Sequence, residues 1–96
     1  MVVGVLRLEM FLPTAQNLKE RRGMVRRILG RCRQRFPVSC AEIGSYDLWQ
    51  RAELGFSAVG HHRDELERMF EKVEEHIESL GLGSITESDR DYLQYS

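Results

Sequence analysis

The sequence predicts an α+β fold in which two helices cover one face of a four-stranded antiparallel sheet. Two stretches, at residues 2–12 and 49–59, alternate apolar and polar residues with the two-residue period of half-buried strands. Between residues 66 and 80 the apolar residues recur at helical spacing instead. The chain has 96 residues, of which 42% are hydrophobic. Because this is enough for one core and too short for two, we expect a single domain over residues 1–96.

The first strand and the first helix have recognisable boundaries. Residues 2–12 alternate and stop at Pro13, which lacks a backbone N–H. Asn17, followed three residues later by Glu20, is typical of a helix N-cap with its reciprocal acid. The helix continues until Phe36 and Pro37 stop its pattern. The apolar residues that repeat at helical spacing are Leu18, Val25, Ile28, Leu29 and Cys32.

The remaining elements are a hairpin, a second helix and a last strand. Residues 38–43 predict a short strand that pairs with the strand at 49–59. Gly81 is placed as the C-terminal cap of the second helix. Residues 84–95 predict an edge strand. The apolar stripe of the second helix consists of Leu66, Met69, Phe70, Val73, Ile77 and Leu80, and the last strand carries Ile85, Leu93 and Tyr95 on one face.

The predicted order βαββαβ, with two right-handed crossovers, is that of the ferredoxin-like split βαβ fold. In this arrangement both helices lie on one face of the sheet and the other face is open to a partner, a ligand or a second subunit. The side chains that share the buried face of their elements predict the core. They are Leu6, Leu8, Val25, Ile28, Leu29, Cys32, Leu54, Phe56, Leu66, Phe70, Val73 and Ile77.

Sequence patterns that would indicate catalysis or cofactor binding are missing. The glycines at 81 and 83 follow a helix instead of preceding one, unlike a phosphate-binding loop. His61 and His62 are adjacent and His76 is distant, so no metal site is predicted. Cys32 and Cys40 fit no metal spacing and are expected to be reduced core thiols. We therefore predict no catalytic residue, no metal, no cofactor and no enzymatic activity.

The sequence also lacks segments that would direct it to a membrane. No apolar run approaches the ~20 residues that a membrane helix needs. The N-terminus shows no export signal. A cytoplasmic location without membrane contact is therefore expected.

Charge is distributed unevenly along the chain. The net charge is −1, yet residues 1–35 contain nine Lys or Arg against two acids, and residues 36–96 contain five against thirteen. Such a split indicates either a polyanionic partner or two oppositely charged elements packed together.

Most of the positive charge lies on the first helix. Its exposed ridge carries Gly23 and Gly30, which lower helix stability and would permit a surface to approach closely. Cations flank this ridge on both sides. The candidates for contact with a nucleic acid are Lys19, Arg22, Arg27, Arg31 and Arg35. The alternative is that these arginines pair with the acidic second helix, which carries seven acids against three cations.

Aromatic residues suggest a second candidate surface. The open face of the third strand offers Glu53, Gly55 and Ser57, which argues against base stacking on the central strands. A cluster at the end of the first strand and the start of the third is expected to form either a ligand site or a dimer contact. Its members are Phe11, Tyr46, Trp49 and Arg51.

Three segments carry a family resemblance. VVGVLRLEMFLP, NLKERRGMVRRIL and VSCAEIGSYDLWQRAELGFSAV, in this order and spacing, closely resemble the YlxP-like family of small bacterial proteins. The most specific parts are LKERR and AEIGSYDLWQRAELG. The resemblance implies a ferredoxin-like α+β fold and no assigned biochemical role. Genes of the family often lie beside those for translation initiation and ribosome maturation.

The family pattern matches particular positions of this chain. Ser45 and Tyr46 depart from it, since members commonly carry other residues there. The matching positions are Leu18, Lys19, Glu20, Arg21 and Arg22 at the helix start, and Glu42, Asp47, Trp49, Gln50, Arg51 and Ala52 around the hairpin.

Two functional hypotheses follow from different classes. The first is a non-enzymatic RNA- or ribosome-associated protein that binds through the basic helix. The second is a regulatory or interaction domain that binds a small ligand or a protein through its open sheet or a homodimer seam.

Overall fold

A computed structural model describes residues 1–46 and 48–95; Asp47, one of the positions that matches the family pattern, lies outside the described residues. The predicted order of elements is confirmed. The strands and helices are β1 (Val2–Phe11), α1 (Leu18–Arg35), β2 (Ser39–Gly44), β3 (Arg51–Gly60), α2 (Arg63–Ser79) and β4 (Ser84–Gln94).

The strands form one antiparallel sheet in the order β2-β3-β1-β4. Consecutive strands of the chain are therefore not all neighbours, because each helix carries the chain across to a non-adjacent position. This is the ferredoxin-like α+β fold that the sequence predicts. As expected, β4 is an edge strand, and β2 forms the opposite edge.

The core lies between the sheet and the two helices. All twelve predicted core residues are buried. Gly4 belongs to the same face, and a Cβ added there would lie 3.0 Å from the Phe70 ring, so the missing side chain makes room for α2. The alternation of β1 and β3 therefore separates a helix-covered face from an open face, as the two-residue period requires.

The helix ends follow the predicted signals. The Asn17 Oδ1 accepts a hydrogen bond from the Glu20 N–H at 2.9 Å, and the Glu20 carboxylate reaches back to the Gln16 N–H at 3.2 Å. Gly81, just beyond α2, has a φ of 69°. That left-handed conformation is the reason for a glycine at this position.

One prediction about β4 is wrong. Ile85, Leu93 and Tyr95 were expected on one face, but the register shifts between Glu9 and Met10 of β1. Met10 pairs with Ile85, and Val3 pairs with Leu93. The bulge inserts an extra residue into β4 and thereby reverses its alternation. As a result, Ile85 packs against the core and Leu93 lies on the open face.

Neither helix of residues 1–46 and 48–95 is long and apolar enough to cross a membrane.

Candidate nucleic-acid interface

The basic surface of α1 consists of seven cationic side chains that are all exposed. The single acidic residue of this helix, Glu20, is engaged at its N-cap. The exposed cations include every predicted nucleic-acid contact. They are Lys19, Arg22, Arg26, Arg27, Arg31, Arg33 and Arg35.

These cations lie on two sides of the helix. Arg22 and Arg26 line a groove that faces β2 and also contains Glu42 and Tyr46. Arg35 lines a different groove, with residues of α2 on its far wall. The row formed by Arg27, Arg31 and Arg35 therefore borders α2 at its Arg35 end, and all three side chains are exposed to solvent.

The cations of α1 are not paired with the acids of α2. Within residues 1–46 and 48–95, no ion pair of 4.0 Å or less involves any of the seven exposed cations. The structure therefore does not show the alternative in which the cations of α1 pair with the acids of α2.

Arg90 of β4 is the cation that pairs with α2. Its guanidinium group contacts both Glu67 and Glu74. The Tyr92 hydroxyl also donates to Glu67, and this hydrogen bond, together with Arg90, holds the Glu67 pKa below its ordinary value. Burial, and then the Glu67 carboxylate, raise the pKa of Tyr92 to about 12. Arg90 and Tyr92 of the edge strand thus stabilise the carboxylates of Glu67 and Glu74.

The unpaired positive charge of α1 affects His76 of α2. Its pKa is lowered, first by burial and then by the positive charges of Arg35 and Arg31. The Nε2 atom is buried without a hydrogen-bond partner among the described residues. The ring packs edge-on against Phe36, with 5.8 Å between the ring centroids.

Arg21 is the exception among the cations of α1, because it is buried, with 2% of its surface exposed. Its guanidinium pairs with Glu42 and donates to the Ser45 carbonyl at 2.9 Å, and its Nε donates to the Arg51 carbonyl at 2.8 Å. It therefore joins the first turn of α1 to β2, to the β2–β3 loop and to the start of β3. The two most specific segments of the family resemblance meet at this pair.

Sequence reasoning included Arg21 in the charge of α1 and did not predict its burial. A signal was present, since Arg21 precedes Val25 by four residues and Ile28 by seven, which places it on the apolar stripe. Glu42 likewise shares the helix-facing side of β2 with Cys40. A cation and an acid that both interrupt apolar faces indicate a buried pair, although only the fold shows that they meet.

The ridge between the two rows of cations is open. A Cβ added at Gly23 or Gly30 would meet no atom within 4 Å. Neither glycine is therefore required by packing inside the domain.

The predicted aromatic cluster forms in part. Phe11, Trp49 and Arg51 line one groove of about 450 Å³ together with Leu48 and Gln50. The Arg51 guanidinium lies 5.4 Å from the centroid of the Phe11 ring. Tyr46 lies apart, on the α1 side of the hairpin, where its hydroxyl donates to the Glu42 carbonyl at 3.4 Å.

The open face of the sheet has an acidic half and an apolar half. In the acidic half, Arg7 pairs with Glu53, with Glu9 at 2.9 Å and with Asp89 at 2.7 Å. The hydrogen bond with Glu53 is the main reason for the raised pKa of Arg7. Exposed apolar side chains on the other half include Val5, Val59 and Leu93.

Among residues 1–46 and 48–95, no group of three or more His, Cys, Asp or Glu side chains is placed to hold a metal ion. Cys32 and Cys40 are buried free thiols. Burial raises the pKa of Cys32 to about 11. Such a thiol stays protonated and unreactive near neutral pH.

Comparison with known proteins identifies the family. Residues 3–90 match the family model described as "Protein of unknown function (DUF503)". The chain is 37% identical over 79 residues to the Bacillus subtilis (strain 168) protein named "Uncharacterized protein YlxP", covering 82% of this chain and 86% of that protein. The chain belongs to the DUF503 family.

Two solved structures are similar in shape. The Arabidopsis thaliana protein At3g17210 has a TM-score of 0.51 at 11% identity, with 98% of this chain and 95% of that one covered. The de novo designed protein Foldit4 has a TM-score of 0.49 at 16% identity, with 99% and 98% covered. The Arabidopsis likeness concerns the fold alone.

Proposed function

We propose that this protein is a non-enzymatic, cytoplasmic RNA- or ribosome-associated protein that binds the phosphate backbone through α1. The observation that carries the proposal is the set of seven exposed cations on one helix that no carboxylate of the described chain neutralises. Lys19, Arg22, Arg27, Arg31 and Arg35 are the proposed contacts.

The spacing of the arginines supports this function. Arg27, Arg31 and Arg35 follow one another at intervals of four residues, which keeps their side-chain roots about 6 Å apart. That distance is close to the spacing of phosphates along a strand. Guanidinium groups bind phosphate oxygens in a bidentate manner. The ridge at Gly23 and Gly30 would let the backbone of the RNA approach the helix between the two rows.

The two faces of the domain support one orientation of binding. On the open sheet face, the carboxylates of Glu9, Glu53, Glu87 and Asp89 surround Arg7. This acidic face lies on the opposite side of the sheet from the helices. A polyanion would therefore be attracted to α1 and repelled from the acidic cluster around Arg7.

The test is binding to ribosomal RNA over a series of salt concentrations. A phosphate-binding surface gives an affinity that falls linearly in a plot of log affinity against log salt concentration. The double variant Arg27→Glu and Arg31→Glu should abolish binding and lower the melting temperature by only a few degrees, because each exposed charge contributes ~0–1 kcal/mol to stability.

The matched control places the same charge change on the other helix. Arg68→Glu with Lys72→Glu alters two exposed cations of α2. We expect it to retain most of the RNA affinity. Equal loss in both double variants would show that net charge alone matters, and unfolding of the α1 variant would identify its arginines as structural.

A second candidate function rests on the apolar half of the open face. Val59 and Leu93 are 64% and 51% exposed and lie on either side of Val3. Exposed apolar groups of this kind are typical of interaction surfaces. A homodimer through this face would be disrupted by Val59→Lys with Leu93→Lys. Light scattering that finds wild-type monomers at high concentration would eliminate this candidate.

A further inference from the structure

Trp49 has a large aromatic side chain, and 51% of its surface is exposed to solvent. It lies just before β3 and lines the groove that also contains Phe11 and Arg51. Trp49 is the only tryptophan in the sequence. Because an indole buries a large apolar area when it is covered, a partner that stacks on it would gain substantial contact.

The polypeptide around Trp49 is anchored to the rest of the domain. The Gln50 carbonyl accepts a hydrogen bond from the Leu12 N–H at 2.8 Å, and the Gln50 side-chain amide donates to the Pro13 carbonyl at 3.3 Å. The Arg51 carbonyl is held by Arg21. These bonds fix the backbone on the C-terminal side of Trp49.

The same contacts place Trp49 at the end of the molecule where α1 begins. Arg21 belongs to the first turn of α1, and its guanidinium reaches the carbonyls of Ser45 and Arg51 on both sides of the loop. Its exposed neighbours Lys19 and Arg22 therefore lie at the same end of the fold. A strand that follows the cations of α1 towards its N-terminus would arrive at the loop that carries Trp49.

Charge favours a nucleic acid at this groove. Among residues 1–46 and 48–95, Arg51 is the charged residue that lines it, and its guanidinium lies over the Phe11 ring. Glu9 and Glu53, acids on the same face of the sheet, lie two residue pairs further in and contact Arg7. A ring with an adjacent cation provides both a stacking surface and a phosphate contact.

We propose that Trp49 stacks on an unpaired base, and that the RNA bound by this protein is single-stranded or looped at the N-terminal end of α1. This inference rests on the proposed function and adds the class of RNA. An uninterrupted duplex keeps its bases stacked on one another and would present only phosphates, whereas a loop or a single strand exposes base faces.

Fluorescence tests the inference directly, because Trp49 is the only tryptophan. Titration with a single-stranded oligonucleotide should quench its emission. Inorganic polyphosphate has charge but no bases, so it should bind through α1 and leave the emission nearly unchanged. A blunt-ended RNA duplex of equal phosphate count should behave like polyphosphate.

Substitution gives a second measurement. Stacking on one aromatic ring corresponds to a loss of about 5- to 150-fold in affinity when the ring is removed. We expect Trp49→Ala to lose single-stranded RNA affinity within that range and to keep the slope of its salt dependence. Trp49→Phe should retain most of the affinity. Ile43→Ala, which removes an exposed apolar side chain of β2 outside this groove, is the matched control and should bind normally.

Several results would overturn the inference. RNA binding with the expected salt dependence but no response of Trp49 and no loss in Trp49→Ala would leave the proposed function intact and refute stacking. Equal loss of polyphosphate and RNA affinity in Trp49→Ala would show that the residue acts through the fold. Quenching that follows protein concentration instead of RNA would identify a protein contact. Absence of RNA and polyphosphate binding at every salt concentration would refute the proposed function itself.

Discussion

The two helices lie side by side on the same face of the sheet, but their charged side chains differ in the partners that they find within the fold. The acids Glu67 and Glu74 of α2 are paired with Arg90 from β4, and Tyr92 adds a further hydrogen bond to Glu67. The exposed cations of α1 have no such partners among the described residues. Glu67 and Glu74 of α2 are therefore used within the fold, whereas the exposed cations of α1 are available to another molecule.

Arg21 shows the same contrast inside α1. It differs from Arg22 only in the direction that the helix gives its side chain, yet it is buried and paired while Arg22 is exposed. Burial of a charge without a partner costs several kcal/mol, so a buried arginine must have its partners supplied by the fold. An exposed arginine has no such requirement.

The largest expected effect is at this buried pair. Arg21→Ala leaves Glu42 without its cation and removes the hydrogen bonds to the carbonyls of Ser45 and Arg51. Breaking a buried pair costs ~3–5 kcal/mol, and Glu42 keeps 20% of its side chain exposed, so we expect about 3 kcal/mol. This lowers the melting temperature by about 10–20 °C. Arg22→Ala, the adjacent control, should change stability by less than ~0.5 kcal/mol. Similar losses of stability in both variants would contradict the view that Arg21 is a structural residue and Arg22 is not.

A smaller effect is expected where α2 meets β4. Arg90→Gln removes the cation from Glu67 and Glu74, and we expect a loss of about 1–2 kcal/mol because the site is only partly buried. Arg27→Gln, which removes the same charge from α1, should leave the free energy of unfolding nearly unchanged. Urea denaturation of the two variants measures the difference. If Arg27→Gln lowered the free energy of unfolding as much as Arg90→Gln, Arg27 would have a stabilising partner within the fold.

The third effect depends on pH. The folded pKa of His76 lies below its ordinary value of 6.5 because burial and the charges of Arg35 and Arg31 disfavour the imidazolium form. Near pH 6 the unfolded chain therefore binds more protons than the folded one. The stability present above pH 6.5 should decrease as the pH falls towards the folded pKa.

His76→Gln should flatten this part of the stability curve, and added salt should reduce the contribution of the two arginines. His61→Gln, at an exposed position before α2, is the control and should leave the curve as it is. A pH dependence that survives in His76→Gln would assign the titration to another group.

The smallest effect is a gain in stability. Gly23→Ala and Gly30→Ala add methyl groups that meet no atom within 4 Å. Each should stabilise the helix by ~0.5–1 kcal/mol and raise the melting temperature by a few degrees. If RNA approaches α1 along this ridge, the same variants should bind it more weakly. Increased stability with unchanged binding would show that the RNA contacts only the flanking rows.

Local sequence patterns were sufficient for most of the fold. The alternation of β1 and β3 and the stripe of α2 correctly predict which faces are buried, because these periods follow from backbone geometry. The caps at Asn17 and Gly81 depend on residues only a few positions apart. The surplus of positive charge on α1 is likewise a property of its composition.

The tertiary structure decided which charges are used within the fold. Glu42 lies 21 positions from Arg21, and Arg90 lies 23 positions from Glu67, so no local pattern brings these pairs together. The β4 bulge that separates Ile85 from Leu93 depends on pairing with β1 at the other end of the chain. The Tyr46 side chain is separated from that of Trp49 because the hairpin directs them to different sides. Sequence periodicity determines the face on which a side chain lies, whereas strand order and register determine which side chain it meets there.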